Sequence, residues 1–408
     1  MREMAPDLRE ISGMREIGFP HAPAGDIFPL RDRVLSRFQA GLFSFKQIPR
    51  FKMLATVLSA DMIEELAADP NVISVYPDQI QTIFQTVPPE GVFEHRKKQY
   101  TTTPWVRKLV GADRANEEGW TGAGVRLAIV DTGGSPALPQ TAGFTYVSAM
   151  REKGQFKDTN GHGEHVASIA CGRRYYDRTL KHELLGMAPT ATGILIKVLG
   201  WIVGMGSQSD VIEGLSIALD RGADIVNMSL GSNAMPDDPS EDAEYKALMT
   251  LIGNDVVPVI SIGNSGPSEG TAGTPGCFDE IVSVGAWNEI DGKICDFSSR
   301  GPTKWGTIRP TIVAPGFMIY SQCLGILDML DKLENRAAFM SGTSMAAPVV
   351  SGILACARQM FQTRARVVLT ADLVDKICAM YGHAPNNSEG YGLIHFSWFE
   401  RYLREELL

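Results

Sequence analysis

The chain has 408 residues, 44% of them apolar and 21% charged, the composition of a globular protein long enough to bury more than one core. With 38 Lys and Arg against 47 Asp and Glu, its formal net charge of −9 argues against nucleic acid or an anionic membrane surface as the main partner. No apolar run approaches the about 18 residues that span a bilayer, and the polar start Met1-Arg2-Glu3-Met4-Ala5-Pro6-Asp7 opens no signal core. On its face the chain stays inside the cell, unless a signal was removed or not included.

Residues 1–27, broken by Gly18, Pro20, Pro23 and Gly25, are predicted to be a loose lead-in. Phe28, Leu30, Val34, Leu35 and Phe38 then recur at helical spacing. Two strands are predicted over 42–48 and 51–58, a helix over 60–68 capped by Ser59, and a further strand over 71–76. Residues 1–79 therefore read as a small α+β unit in which nothing looks like a reaction centre. Pro88, Pro89, Gly91 and the basic run Arg96-Lys97-Lys98 mark 80–104 as an exposed, protease-accessible linker.

From residue 105 the character changes. Short runs, mostly apolar and without alternation, over 125–130, 193–199, 224–228, 256–262 and 281–284, alternate with helical patterns over 165–171, 209–221, 240–253 and 343–360. Continuous apolar strands belong to a parallel sheet covered on both faces. Residues 105–408 are thus expected to form an α/β domain: a doubly wound, mostly parallel sheet with helices on both faces and reactive groups at the carboxyl ends of its strands. The six cysteines, Cys171, Cys277, Cys295, Cys323, Cys356 and Cys378, lack Cys-x-x-Cys spacing and read as buried free thiols, with a Cys277–Cys295 disulfide as the alternative.

Four polar residues fall at strand or helix ends. Asp131 closes the run 125–130. His162 stands between Gly161 and Gly163 before a helix, Asn264 follows the run 256–262, and Ser344 opens a buried helix after Gly342-Thr343. Each has an ordinary explanation alone: a cap, a structural histidine, a turn residue, a cap. An acid, an imidazole, an amide and a hydroxyl converging at the ends of one parallel sheet point instead to nucleophilic catalysis.

The segments around these residues resemble those of subtilisin-like serine proteases. They are Asp131-Thr132-Gly133, Gly161-His162-Gly163-Glu164-His165-Val166-Ala167, Asn227-Met228-Ser229-Leu230-Gly231, Gly263-Asn264-Ser265-Gly266, Phe297-Ser298-Ser299-Arg300-Gly301-Pro302, Ala314-Pro315-Gly316 and Gly342-Thr343-Ser344-Met345-Ala346-Ala347-Pro348, in collinear order. The resemblance implies an endopeptidase that works through an acyl-enzyme, with Ser344 as nucleophile, His162 as base and Asp131 orienting it, in the Asp-His-Ser order known for subtilisin. The Asn264 amide and the Ser344 N–H would bind the oxyanion, and His165 would be structural. Substrate would lie extended between Gly204-Met205-Gly206 and Ser229-Leu230-Gly231. The former is no nucleotide loop, for the full Gly-x-Gly-x-x-Gly pattern is missing.

Gly273, leaving the pocket open, and Ser265, bringing no charge to its rim, would favour large apolar residues before the cut. The N-terminal unit would be the family's inhibitory propeptide, with its tail after Asp78 in the cleft and a processing site between about residues 80 and 103. Expected partners are protein or peptide substrates and the chain's own propeptide, on a monomer. Catalysis would need no cofactor, but structural calcium in the acidic loop 237–242 is weighed against a simply solvated loop. Glu164 stands where the family has Thr, as a possible charged neighbour of His162 or cation ligand. A catalytically silent binding protein on the same scaffold and a narrow processing protease are the alternatives.

Overall fold

A computed structural model of the protein describes residues 14–18, 45–57, 60–70, 72–83, 103–150, 155–179, 181–200, 203–330 and 336–408. Near the N-terminus, β1 (Met14–Gly18), β2 (Phe45–Ile48), β3 (Met53–Val57), α1 (Ala60–Ala67) and β4 (Ser74–Pro77) build an antiparallel sheet in the order β2-β3-β1-β4. β1 corrects the expected loose lead-in: Met-Arg-Glu-Ile-Gly alternates only weakly, yet it sits centrally, with Glu16 opposite Ala55 on one side and Tyr76 on the other. Strand formation here comes from its partners more than from its own residues. The helix expected over 27–38, most of the linker and the basic run 96–98 lie outside the described residues.

The linker expected from residue 80 starts as a strand. β5 (Ile80–Ile83) leaves the first unit and pairs elsewhere, as described below.

The larger unit begins with α2 (Thr103–Leu109) and α3 (Ala112–Glu117). It continues through β6 (Arg126–Asp131), β7 (Thr145–Ser148), α4 (His162–Cys171), the hairpin β8 (Tyr175–Asp177) and β9 (His182–Leu184), β10 (Thr192–Lys197), β11 (Met205–Ser207), α5 (Gln208–Asp220), β12 (Ile225–Met228), β13 (Leu230–Gly231) and α6 (Ala243–Ile252). After these come β14 (Val257–Ser261), β15 (Val282–Asn288), β16 (Lys293–Ile294), β17 (Ile312–Pro315), β18 (Ile319–Gln322), α7 (Ile326–Leu330), β19 (Ala337–Met340), α8 (Thr343–Ala365), α9 (Ala371–Tyr381) and α10 (Phe396–Tyr402).

The central sheet runs β16-β15-β14-β12-β6-β10-β7, with β17 also on β15, and is parallel except for the β15–β16 pair. Alternate residues of each strand face opposite sides. Leu127, Ile129, Val259 and Val284 meet α4 and α8 through Val166, Val350 and Ile353, whereas Ala128, Val130, Val226 and Ile260 meet α5 and α6 through Val211, Ile212, Leu248 and Leu251. This is the expected doubly wound arrangement.

The N-terminal sheet rests on α5 and α6, where Ile48, Met53 and Tyr76 join the second of these cores. Lys46 pairs with Asp210 and, at 2.9 Å, with Glu213. Asp78 accepts hydrogen bonds from the Ser209 N–H (2.8 Å) and hydroxyl (2.7 Å) at the start of α5, where free N–H groups and the helix dipole favour a carboxyl group.

Candidate active site

Asp131 is the last residue of β6 and His162 the first of α4. Two glycines let them meet. Gly161 takes φ 102°, and a Cβ there would stand 1.9 Å from the Leu324 carbonyl oxygen, while one on Gly163 would stand 2.5 Å from that of Gly133. In the resulting contact His162 Nδ1–H donates to Asp131 Oδ1 at 2.8 Å, since the carboxylate also takes the Thr132 N–H at 2.7 Å and can only accept. Nε2 is therefore the lone-pair nitrogen, and it is buried with no hydrogen-bond partner.

The turn before His162 is held by Asp158, which accepts from Asn160 N (2.9 Å), Gly161 N (2.7 Å) and Thr132 Oγ1 (2.9 Å). The sequence gives no sign of Asp158, because two of its partners are backbone N–H groups and the third, Thr132 Oγ1, lies 26 positions away. Burial pushes its pKa up, against these hydrogen bonds.

Ser344 lies in the first turn of α8. Its Oγ donates to the Ser229 carbonyl at 3.0 Å. The same serine answers a defect in the helix: Pro348 has no N–H to give the Ser344 carbonyl four residues back, and Ser229 Oγ donates there instead, at 2.9 Å. Asn227 Nδ2 donates to Ser229 Oγ at 3.0 Å, and Ser351 Oγ donates to Asn227 Oδ1 at 2.9 Å. The segment 227–229 thus supports the first turn of α8 as well as leading into β13.

Asn264 follows β14. Its Oδ1 accepts from Thr343 N (3.0 Å) and Thr343 Oγ1 (2.9 Å), which fixes the amide and turns Nδ2 the other way, where it is buried without an acceptor. A buried donor left unpaired costs about 1–3 kcal/mol, so such a group marks a place made for an incoming acceptor.

β5 occupies the cleft between the two expected edges, antiparallel to both β11 and β13. Thr82 faces Met205 and Gly231, Gln81 faces Gly206, Ile83 faces Leu230, and the Ile83 N–H donates to the Gly204 carbonyl at 3.2 Å. Ser265 is half-buried and its N–H donates to Ser299 Oγ at 2.9 Å. Gly273 backs the end of β13, where a Cβ would meet the Ser232 carbonyl at 2.4 Å.

His165 plays no part in this line. Its Nε2–H donates to Ala338 O (3.0 Å) and Ile319 O (3.2 Å), and burial pushes its pKa down to about 3, which keeps it neutral. Glu164 accepts the Leu324 N–H at 2.7 Å, and burial, helped by Asp158, pushes its pKa up to about 9. It is a neutral acid at pH 7, which removes the expected charged neighbour of His162.

The acidic loop does not fit calcium. Asp237 pairs with Lys304 at 2.8 Å, Asp238 accepts Ser240 N at 2.8 Å, and Asp242 caps α6 through Glu244 N (2.8 Å) and Tyr245 N (3.1 Å). Among the described residues no group of three His, Cys, Asp or Glu is placed to hold a metal ion, and no helix is long and apolar enough to cross a membrane. All six cysteines are buried, and Cys277 and Cys295 are free, with no disulfide between them.

A profile of the subtilase family matches residues 122–392. Serine protease AprX of Bacillus subtilis is 34% identical over 262 residues, which cover 59% of this chain but only 58% of AprX. Subtilisin DY of Bacillus licheniformis is 32% identical over 64% of this chain and 86% of its own length, and an alkaline protease of Alkalihalobacillus alcalophilus is 30% identical over 87% and 80%. The crystal structure of fervidolysin from Fervidobacterium pennivorans, a keratinolytic enzyme related to subtilisin, matches with a TM-score of 0.73 at 19% identity, over 97% of this chain and 61% of that one. At that identity the likeness speaks for the fold alone.

Proposed function

We propose that this chain, a serine endopeptidase that belongs to the subtilase family, cuts peptide bonds with Ser344, His162 and Asp131 and is made as a self-inhibited precursor. The observation that carries this reading is the 2.8 Å bond from His162 Nδ1 to Asp131, which leaves Nε2 as an unpaired base. In the reaction Ser344 Oγ exchanges its Ser229 partner for His162 Nε2, gives up its proton there and bonds to the substrate carbonyl carbon. The carbonyl oxygen takes the electron pair and is held by Asn264 Nδ2 and the Ser344 N–H. His162 returns the proton to the amine as the C–N bond breaks, leaving an acyl-enzyme that water hydrolyses by the same steps. Asp131 stabilises the imidazolium.

Residues 1–79 act as the inhibitor, 80–104 as the linker that is cut and 105–408 as the enzyme. β5 supplies the support: a strand added to two cleft edges is how an extended peptide binds through its main chain. Ile83, the last described residue of β5, faces Leu230, which is next to Ser229, whose carbonyl holds the Ser344 hydroxyl. β5 thus ends one residue short of the nucleophile, and the proposed cut is the bond Phe84–Gln85, which lies outside the described residues. An aromatic residue there agrees with the expected preference for large apolar side chains over Lys or Arg at the pocket near Ser265 and Gly273.

N-terminal sequencing and a casein assay test the reading. The parent chain should lose its first 84 residues and hydrolyse casein, while Ser344→Ala should stay full length and inactive. Identical behaviour of the two would sink it.

A further inference from the structure

The register gives Gln81 a definite place in the cleft. With Phe84 before the cut, Gln81 is the fourth residue back, and it faces Gly206. Its side chain is fully buried, and its Nε2 donates to Glu244 Oε2 at 3.1 Å. Gln208 Nε2 donates to the same Glu244 oxygen at 3.3 Å and to Asp242 Oδ1 at 3.2 Å. Glu244 is itself fully buried in the first turn of α6. A substrate side chain thus ends against a buried carboxyl group braced by a second amide.

We propose that Glu244 and Gln208 form a specificity pocket that takes a glutamine side chain at the fourth residue before the scissile bond, in the chain's own tail and in other substrates. The chemistry selects an amide. Gln81 Oε1 and Glu244 Oε1 are both buried without a hydrogen-bond partner, and one proton on Glu244 supplies the donor this pair of oxygens lacks. A carboxylic acid and a primary amide then each give one hydrogen bond and accept one. Burial, with Asp242 nearby, pushes the Glu244 pKa well up and so favours that proton. Leucine in this position would take the amide away from Glu244 and leave that buried carboxyl group with Gln208 alone, and glutamate would bring a further carboxyl group beside Glu244 and Asp242.

The inference rests on the reading of β5 as the chain's own first substrate, and its test separates the two. The full chain, expressed and left to process itself, is given fluorogenic peptides Gln-Thr-Ile-Phe and Leu-Thr-Ile-Phe with the reporter after Phe. The glutamine peptide should show kcat/KM at least about tenfold higher, because a site built to pair a polar group discriminates strongly against an analogue lacking it. Equal rates overturn the pocket and leave the protease standing. Failure to cut either peptide, or equal cutting by Ser344→Ala, overturns the protease reading itself. In the full chain, Gln81→Leu and Glu244→Leu should each slow self-processing, and the double variant should recover at least about half of the lost rate. A double variant no faster than the slower single one counts against the pocket.

Discussion

Glu164→Gln gives a quantitative test of how the site's surroundings are built. Glu164 lies two residues after His162, fully buried, with Oε2 on the Leu324 N–H at 2.7 Å and Oε1 without a partner. Burial first, and Asp158 second, raise its pKa from 4.5 to about 9. The folded chain therefore keeps a proton that the unfolded chain releases above pH 4.5, and the stability this proton contributes is complete below that value and lost progressively as pH rises to about 9. At pH 7 the difference spans 2.5 units, and at about 1.4 kcal/mol per unit it costs about 3 kcal/mol.

Glutamine offers a carbonyl oxygen to the same N–H and never ionises. Carried in Ser344→Ala to prevent self-digestion, Glu164→Gln should raise the calorimetric melting temperature at pH 8 by several degrees and leave it unchanged at pH 4.5. Equal melting at pH 8 would refute the ionisation argument. A gap of the same size at both pH values would show a packing effect instead.

Two further outcomes follow from single hydrogen bonds. On the proposed mechanism Asn264→Ala removes the side-chain donor to the oxyanion and should lower kcat by about 10² to 10³ with KM little changed; a fall below threefold in steady-state kinetics would remove Asn264 from the reaction. Ser229→Ala leaves the Ser344 carbonyl and Asn227 Nδ2 unpaired and should cost about 1–3 kcal/mol in urea unfolding. Adding Pro348→Ala restores the missing helical N–H and should recover part of that loss, whereas no recovery would mean that the proline is not the reason for the Ser229 bond.

Much of this was legible because its signals are local. Continuous apolar runs announced the parallel sheet, and glycines beside His162 announced a helix start pressed against a strand end. Other features depend on partners far away in sequence. β1 is a strand because β3 and β4 flank it. Ile80–Ile83 read as linker because its partners, β11 and β13, lie more than a hundred residues on. The acidic loop resembled a cation site because sequence lists carboxylates without saying that Asp238 and Asp242 already serve backbone N–H groups. Gln81 and Glu244 are separated by 163 positions and share no motif, so only the fold could bring them together.

The most direct measurement is covalent labelling of the self-processed chain with a fluorophosphonate, followed by peptide mapping. The account predicts a single adduct, on Ser344, that disappears in His162→Ala although the fold is retained. Labelling at another residue, or undiminished labelling of Ser344 without His162, would contradict it.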